Sequence, residues 1–399
     1  MGIIHILDAR VANQIAAGEV IERPLSAVKE LVENALDAHA TNITVEIDGG
    51  GVDLIKVTDD GDGFYKDDLP LAIERHATSK ISDFNDVYRL NTFGFRGEAL
   101  ASIAVISRLR ITSGQSETEP AHVFTSDADG NTALSVAAPR KGTCIEVRDL
   151  YYNVPARKKF VRSNSHESAL IYDLICKFAL GFPAVNFTYL SGGEVVFSSN
   201  QLDSVEDLLH YIYGERESGK IIHIKDDGFY QKQRVEAWFF PPSVTRKNRN
   251  HMTYFVNGRL IESRELDQII DEAVYTLVPK GRFLICVLKL ELPAFNVDVN
   301  IHPSKKVIKF KKPRGMAQHA RDAAQGRALA LAAVCAVSGE CAGGTICAEA
   351  AEGGGAGEAA DAGFLRAAKT TVAAADLAPR DATRHRSAGE RGFRAVSAL

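Results

Sequence analysis

Few folds accommodate the stretch PLSAVKELVENALDAHA, Pro24 to Ala40. Pro24 is pre-set for the first turn of a helix, where its missing N–H costs nothing. Val28, Leu31, Val32, Ala35 and Leu36 then recur at helical spacing and make one apolar stripe. At about 100° per residue, Glu30, Asn34 and Asp37 fall within one narrow sector opposite that stripe. One face therefore packs on a core while the other presents two acids and an amide. A merely solvated polar face has the same pattern, so the rest of the chain must decide between a wet surface and a site.

At 399 residues the chain predicts two domains with room for an appendage. The composition, 45% hydrophobic and 25% charged, is that of a water-soluble globular protein. A formal net charge of −4 excludes a global basic field, so any nucleic-acid binding must come from a local patch. The cysteines Cys144, Cys176, Cys286, Cys335, Cys341 and Cys347 form no CxxC pair. Neither a zinc site nor a disulfide framework is indicated, and a reducing cytoplasm is the simplest home. The N-terminus is not patterned as a signal peptide, and Ile6 stands where a myristoylation site wants Ser or Thr. No apolar run approaches the ~20 residues of a membrane span.

The remaining pattern alternates strands and helices. Residues 3–22 read as an arm or strand followed by a short helix. NITVEIDGGG and VDLIKVTDDGDGF read as an antiparallel hairpin, and LPLAIERHATSKI, 69–81, as a helix. A helix from Glu98 to Val105 precedes the strands RLRIT, AHVFTSD, ALSVAA and GTCIEVRDL. A helix over 167–180 and the strands NFTYLSGG and EVVFSS follow. SNQLDSVEDLL opens a second α/β unit: strands RVEAWFF, HMTYFVNGRLI and RFLICVLKLELP, a helix over 263–278, and VDVNIHPSKKVIKF. The predicted domains are 1–203, 204–314 and a tail, 315–399. From about Gly315 the tail is rich in Ala and Gly, takes Arg in place of Lys, and loses all hydrophobic period. It reads as a disordered linker or as GC-rich sequence translated out of frame.

Four stretches carry chemistry. On the helix, a carboxylate at Glu30 can take a proton from water, and an amide oxygen at Asn34 can complete a magnesium shell. In TDDGDGF, Thr58 to Phe64, Gly61 and Gly63 let the backbone pass close to a ligand, and Asp59 can accept a hydrogen bond from an exocyclic amine. A tight turn alone would look the same; an EF-hand fails, since Tyr65 and Leu71 occupy its Gly and Glu positions. In FGFRGEALAS, Gly94 and Gly97 flank Arg96 directly before a helix start, an arrangement suited to anions. There is no GxxxxGK[ST] and no GxGxxG after a strand. ATSK, 77–80, adds hydroxyls and an ammonium, and in GTCIEVRDLYYNVPARKKF Thr143 can reach a bound base. The run Arg157-Lys158-Lys159 is a basic patch or simply a solvated loop.

Together these motifs closely resemble the MutL family of DNA mismatch-repair proteins, within the GHKL superfamily of ATPases shared with DNA gyrase, the large heat-shock chaperones and histidine kinases. GFRGEAL at 94–100 carries the resemblance, with VANQIAAGEVIERP, ELVENALDA, DDGDGF, RHATSKI and NVPARKKF in order over about residues 3–312. The resemblance implies a two-layer α/β (α+β) sandwich with a mixed, largely antiparallel sheet, followed by a domain like ribosomal protein S5. It implies ATP hydrolysis with Mg2+: Glu30 as general base, Asn34 as the Mg ligand, and Asp59, helped by Thr143, reading adenine. Asp37 and Ala38 of the helix, Gly61 and Gly63 belong to the nucleotide site, while Thr78, Ser79, Lys80 and the run Gly94, Phe95, Arg96, Gly97, Glu98, Ala99 and Leu100 wrap the phosphates. Lys305 of HPSK reaches the γ-phosphate, although Val307 stands where the family usually has a glutamate.

It further implies an ATP-dependent homodimer acting on DNA with a MutS-type mismatch sensor and a downstream nuclease or helicase, at the bacterial nucleoid. AQHA at 317–320 lacks the Asp and Glu residues of the family's endonuclease motif, which predicts no strand cleavage. A competing class is a nucleotide-independent DNA scaffold acting through Arg157, Lys158, Lys159, Arg246, Lys247, Arg249, Arg259 and Arg264. Phosphotransfer, as in histidine kinases, is the third.

Overall fold

The computed structural model describes residues 3, 5–81, 83, 92–94, 97–127, 129–214, 221–226, 234–275, 277–292, 297–298 and 309–310. All lie in the first of two compact units, Met1–Glu340; the second is Cys341–Leu399. The proposed tail from 315 onward therefore lies outside the described residues.

Helix α1 spans Ala9–Val20 and α2 spans Pro24–Asp37, with Pro24 at its first turn as the sequence predicts. Ala27, Val28, Leu31, Val32 and Ala35 of α2 are all buried. Each fully buried Leu or Val contributes roughly 1.5–3 kcal/mol, so this stripe fixes which way the polar face must look. The stripe packs on β2 (Leu54–Asp59) and on α6 (Asn164–Gly181). Strand β1 (Asn42–Asp48) buries Ile43, Val45 and Ile47 in strict alternation and pairs antiparallel with β2 through Ile43↔Asp59 to Asp48↔Leu54.

These strands lie inside an eight-stranded sheet. Its further members are β3 (Arg108–Ser116), β4 (Ala121–Ser126), β5 (Thr132–Ala137), β6 (Arg140–Arg148), β7 (Asn186–Ser191) and β8 (Glu194–Ser198). The order is β5-β4-β3-β6-β2-β1-β7-β8, antiparallel except where β1 runs parallel to β7. The long helix α6 precedes β7, the right length of connection for a parallel return.

After α7 (Val205–Tyr213) come β9 (Ile222–Asp226), β10 (Arg234–Phe239), β11 (Thr245–Arg246), β12 (Met252–Val256), β13 (Arg259–Ile261), β14 (Phe283–Leu284) and β15 (Cys286–Glu291); β11 pairs with β14, and the others form a second sheet in the order β13-β12-β15-β10-β9. Every residue of β12 is buried. Phe255 joins the main core; Met252, Tyr254 and Val256 face a second cluster with Leu266 and Ile270 of α8 (Arg264–Ala273). Covered on both faces, this strand is buried throughout rather than at alternate positions. Asn257 and Gly258, at φ 50° and 77°, make the tight turn into β13.

Two expectations are corrected. The helix predicted over 69–81 is a single turn, α3 (Asp68–Leu71). His76 adopts a left-handed φ of 66° and donates its N–H to Gly97 O at 3.1 Å, so the chain turns off towards the glycine-rich loop. The strand β9 has no counterpart in the predicted pattern.

Candidate active site

The polar face of α2 is a built network. Asp37 Oδ1 accepts the Phe93 N–H at 2.8 Å; its Oδ2 accepts Gly94 N–H at 3.0 Å and Lys80 Nζ at 2.5 Å. Lys80 Nζ also donates to Asn34 Oδ1 at 3.0 Å. A side chain at Gly94 would sit 3.0 Å from Lys80 Nζ and 3.5 Å from Asn34 Oδ1. Three stretches far apart in sequence thus meet at one point. Asp37 hydrogen-bonds within the site, to the protein's own backbone and to Lys80.

Glu30 is partly buried on the same helix, and its neighbour Lys29 lies 4.0 Å from its Oε1. Lys29 also makes a 2.5 Å ion pair with Glu33, one turn on. Lys29 and Glu33 are only 4% and 5% exposed. Its i,i+4 spacing is the only sign of this pair that the sequence carries.

The DGDG turn closes on the helix end. Asp62 N–H donates to Ala38 O at 2.9 Å, and a Cβ at Gly61 would stand 2.5 Å from that same oxygen. Gly63 has φ 73°, and its Cβ would meet Gly114 O at 2.2 Å; only glycine fits. Asp59 is 8% exposed; its Oδ1 accepts Gly61 N–H at 3.0 Å and Thr143 N–H at 3.2 Å. Burial pushes its carboxyl above the usual range against the pull of those two bonds. Thr143 Oγ1 in turn pairs with Ser113 Oγ at 2.8 Å, and Ser113 Oγ accepts Phe64 N–H at 2.8 Å. Asp60 is different: burial pushes its carboxyl up, but hydrogen bonds from Thr41 and Asn42 hold it far below the usual range. Asp60 pins the start of β1, whereas Asp59 faces the site.

Gly97, at φ 62°, passes so close to Ala77 that a Cβ would lie 2.3 Å from its carbonyl oxygen. Thr78 Oγ1 accepts Lys80 N–H at 3.2 Å, and Ser79 is exposed. Glu98 precedes α4 (Ala99–Val105), whose Ala99 is half-buried. Leu100 packs its side chain into the core. Phe95, Arg96 and Lys305 lie outside the described residues.

Among the proposed DNA contacts, Lys158, Lys159 and Arg264 are exposed and Arg157 is half-buried. Arg246 lies over the Tyr213 ring, and Arg249 pairs with Asp271 at 2.5 Å. Arg259 is corrected: its guanidinium donates to Phe93 O at 2.9 Å and to Thr92 O, and is turned into the protein.

An amide oxygen and a carboxylate that already grip an ammonium offer a hard-oxygen setting suited to a magnesium ion. Among the described residues no group of three His, Cys, Asp or Glu could hold a metal by itself, so other oxygen donors, such as phosphates and waters, would have to complete the shell. Gly142 is packed directly against Asp59. At φ 88° its Cβ would lie 2.1 Å from Asp59 O, and its position directly before Thr143 is the only sign of this contact in the sequence.

The family described as "Histidine kinase-, DNA gyrase B-, and HSP90-like ATPase" matches residues 22–139, and "DNA mismatch repair protein, C-terminal domain" matches residues 209–327. The DNA mismatch repair protein MutL of Macrococcus caseolyticus is 41% identical over 313 residues, covering 78% of this chain and 49% of that protein. MutL of Geobacillus kaustophilus is 41% identical over 323 residues, covering 81% and 51%. The chain thus spans about half the length of the curated relatives it matches. Among solved structures, the Aquifex aeolicus MutL ATPase domain complexed with ADP is 27% identical with a TM-score of 0.52, covering 69% of this chain and 93% of that one. The N-terminal domain of a DNA repair protein shares the fold, with a TM-score of 0.66 at 24% identity, over 80% of this chain and 99% of its own. Through its ATPase segment and the mismatch-repair segment that follows, the chain belongs to the MutL family of DNA mismatch repair proteins.

Proposed function

We propose that this chain binds ATP with Mg2+ against the polar face of α2 and hydrolyses it slowly, and that the nucleotide gates pairing of two copies in DNA mismatch repair. The observation that supports this best is Asp59. It is a buried carboxylate held through Oδ1 by two backbone N–H groups, in a turn built from glycines, where burial works against its charge. A ligand amine, such as that of adenine, accounts for it. Asn34 would hold Mg2+, which supplies charge neutralisation on the phosphates. Glu30 accepts the proton of the attacking water. Thr78, Ser79, Lys80, Gly94 to Leu100 and Lys305 orient the phosphates, the first three by hydroxyls and an ammonium.

The domain division is 1–203 for the ATPase, 204–314 for the second domain and 315–399 for a tail, with the match at 209–327 overlapping the second and running past its end. The partners are DNA, held without sequence preference through Arg157, Lys158, Lys159 and Arg264, a MutS-type sensor and a downstream nuclease or helicase, in the bacterial cytoplasm at the nucleoid. This chain's own reaction is ATP hydrolysis without strand cleavage, because Ala317 replaces the Asp of the nuclease motif. Steady-state hydrolysis tests the reading. Glu30→Ala is expected to slow turnover ~10²–10⁴-fold with nucleotide binding retained. Wild-type turnover in that variant would refute the assignment, and DNA affinity that ignores a nonhydrolysable ATP analogue would favour the scaffold.

A further inference from the structure

The segment Thr92–Gly94, which leads into the glycine-rich loop, is held from two sides. Asp37 of α2 takes the N–H groups of Phe93 and Gly94. Arg259, from the first residue of β13 in the second sheet, takes the carbonyls of Thr92 and Phe93. The Phe93 ring lies between the Arg259 guanidinium, 5.8 Å from its centroid, and the edge of Phe182 at 5.6 Å. Phe182 meets Phe255 of β12 edge-on at 6.4 Å, and Gly258 approaches the Phe93 ring closely enough that a Cβ would be 3.9 Å from it. The β12–β13 hairpin therefore grips this segment with one guanidinium and a run of aromatic edges. Burial lowers the Arg259 pKa, while the charges of Glu33, Asp37 and Glu30 act to raise it. Every acid of the helix face acts on this one cation of the second sheet.

We propose that Arg259 is a positioning residue for ATP hydrolysis: its two-pronged grip on Thr92 and Phe93 sets the start of the glycine-rich loop against Asp37. Through it, the place of the phosphate loop depends on the second sheet, and any shift of the β12–β13 hairpin moves the loop. This rests on the ATPase reading above. A guanidinium fork can hold two carbonyls in fixed geometry, whereas an ammonium cannot. The adenine end of the site, at Asp59, is held by separate residues and does not depend on Arg259.

The experiment uses the full chain with Arg259→Lys, Arg259→Ala and Asp37→Asn. It measures melting temperature, ADP affinity, and kcat and KM for ATP. Misplacing a phosphate-binding loop by about an ångström costs up to ~10²-fold in rate. Arg259→Lys is expected to melt within a few degrees of wild type and bind ADP within a few-fold, yet lose 10- to 100-fold in kcat. It keeps charge and stem, so it carries the test if Arg259→Ala does not fold. The double variant Arg259→Lys with Asp37→Asn is expected to be no slower than the worse single one, since both residues hold the same segment. Full kcat in Arg259→Lys, or additive losses in the double variant, overturns the positioning role while leaving the ATPase reading intact. A wild-type chain that neither binds nor hydrolyses ATP overturns both.

Discussion

Removing Glu33 tests how the helix keeps its candidate base available. Lys29 sits inside the protein between two carboxylates, 2.5 Å from Glu33 and 4.0 Å from Glu30. Stripping one partner from a buried pair costs about 3–5 kcal/mol when the other charge is left alone. In Glu33→Ala, Lys29 is not left alone, because Glu30 is within reach. Glu30 already stands 4.0 Å away, so the Lys29 charge keeps one partner and the cost falls at or below the low end of that range. The net destabilisation is then roughly 1–3 kcal/mol, or about 2–10 °C in melting temperature. The larger consequence is chemical. A cation drawn onto Glu30 pairs with its carboxylate and makes it a poorer proton acceptor. Steady-state ATP hydrolysis should fall by about tenfold or more in Glu33→Ala, with ADP affinity little changed. The double variant Lys29→Met with Glu33→Leu replaces the pair by apolar side chains of similar length. It should recover stability, because such replacements are often neutral or favourable, and should recover turnover, because Glu30 has no cation to capture. A Glu33→Ala variant with wild-type kcat, or a double variant as slow as the single one, refutes this account.

Three further outcomes follow from the site. Asp59→Asn should abolish nucleotide binding yet raise stability at neutral pH. Burial raises the carboxyl pKa in the folded chain, so the folded state holds this proton to higher pH than the unfolded state does, and the Asp59 contribution to stability falls as pH rises from about 4 through that raised value. The stability gain of Asn should therefore be present at pH 7–8 and vanish towards pH 4 in thermal melts. Lys80→Met should uncover the Asn34 and Asp37 oxygens, so that millimolar Mg2+ alone raises the melting temperature of the variant but not of wild type; equal Mg2+ response in both would show that Lys80 does not occupy a cation position. Gly142→Ala places a Cβ 2.1 Å from Asp59 O at a left-handed φ, and should weaken ADP binding by at least tenfold while lowering the melting temperature. Calorimetric ADP titration showing unchanged affinity would sink that prediction.

The division between what the sequence discloses and what it conceals follows the range of the interactions. The α2 stripe, the β1 alternation and the two-glycine turn are local: each depends on residues within a turn or a strand pair, so spacing reveals them. The helix expected over 69–81 failed because its decisive bond, His76 N–H to Gly97 O, joins residues that only the tertiary fold brings together. Asp37 looked like a ligand contact because it shares a sector with Glu30 and Asn34. Helical geometry says which residues share a face but not what stands opposite them, and here the opposite party is the backbone of Phe93 and Gly94.

Arg259 shows the same limit most sharply. In sequence it is one exposed-looking cation in a polar hairpin turn, indistinguishable from Arg264 five residues on. In the structure Arg264 is exposed, while Arg259 reaches across 166 residues to Phe93 O. A cation's role depends on which carbonyls or phosphates it finds, and that is settled by packing: Phe255 and Phe182 bring the hairpin against the loop, and the guanidinium then has two backbone acceptors within its fork. The apolar contacts that charge patterns ignore thus decide which basic residues remain exposed. For that reason the scaffold and ATPase readings are not independent, since the hairpin that carries Arg259 inward leads within three residues into α8, whose first residue is the exposed Arg264.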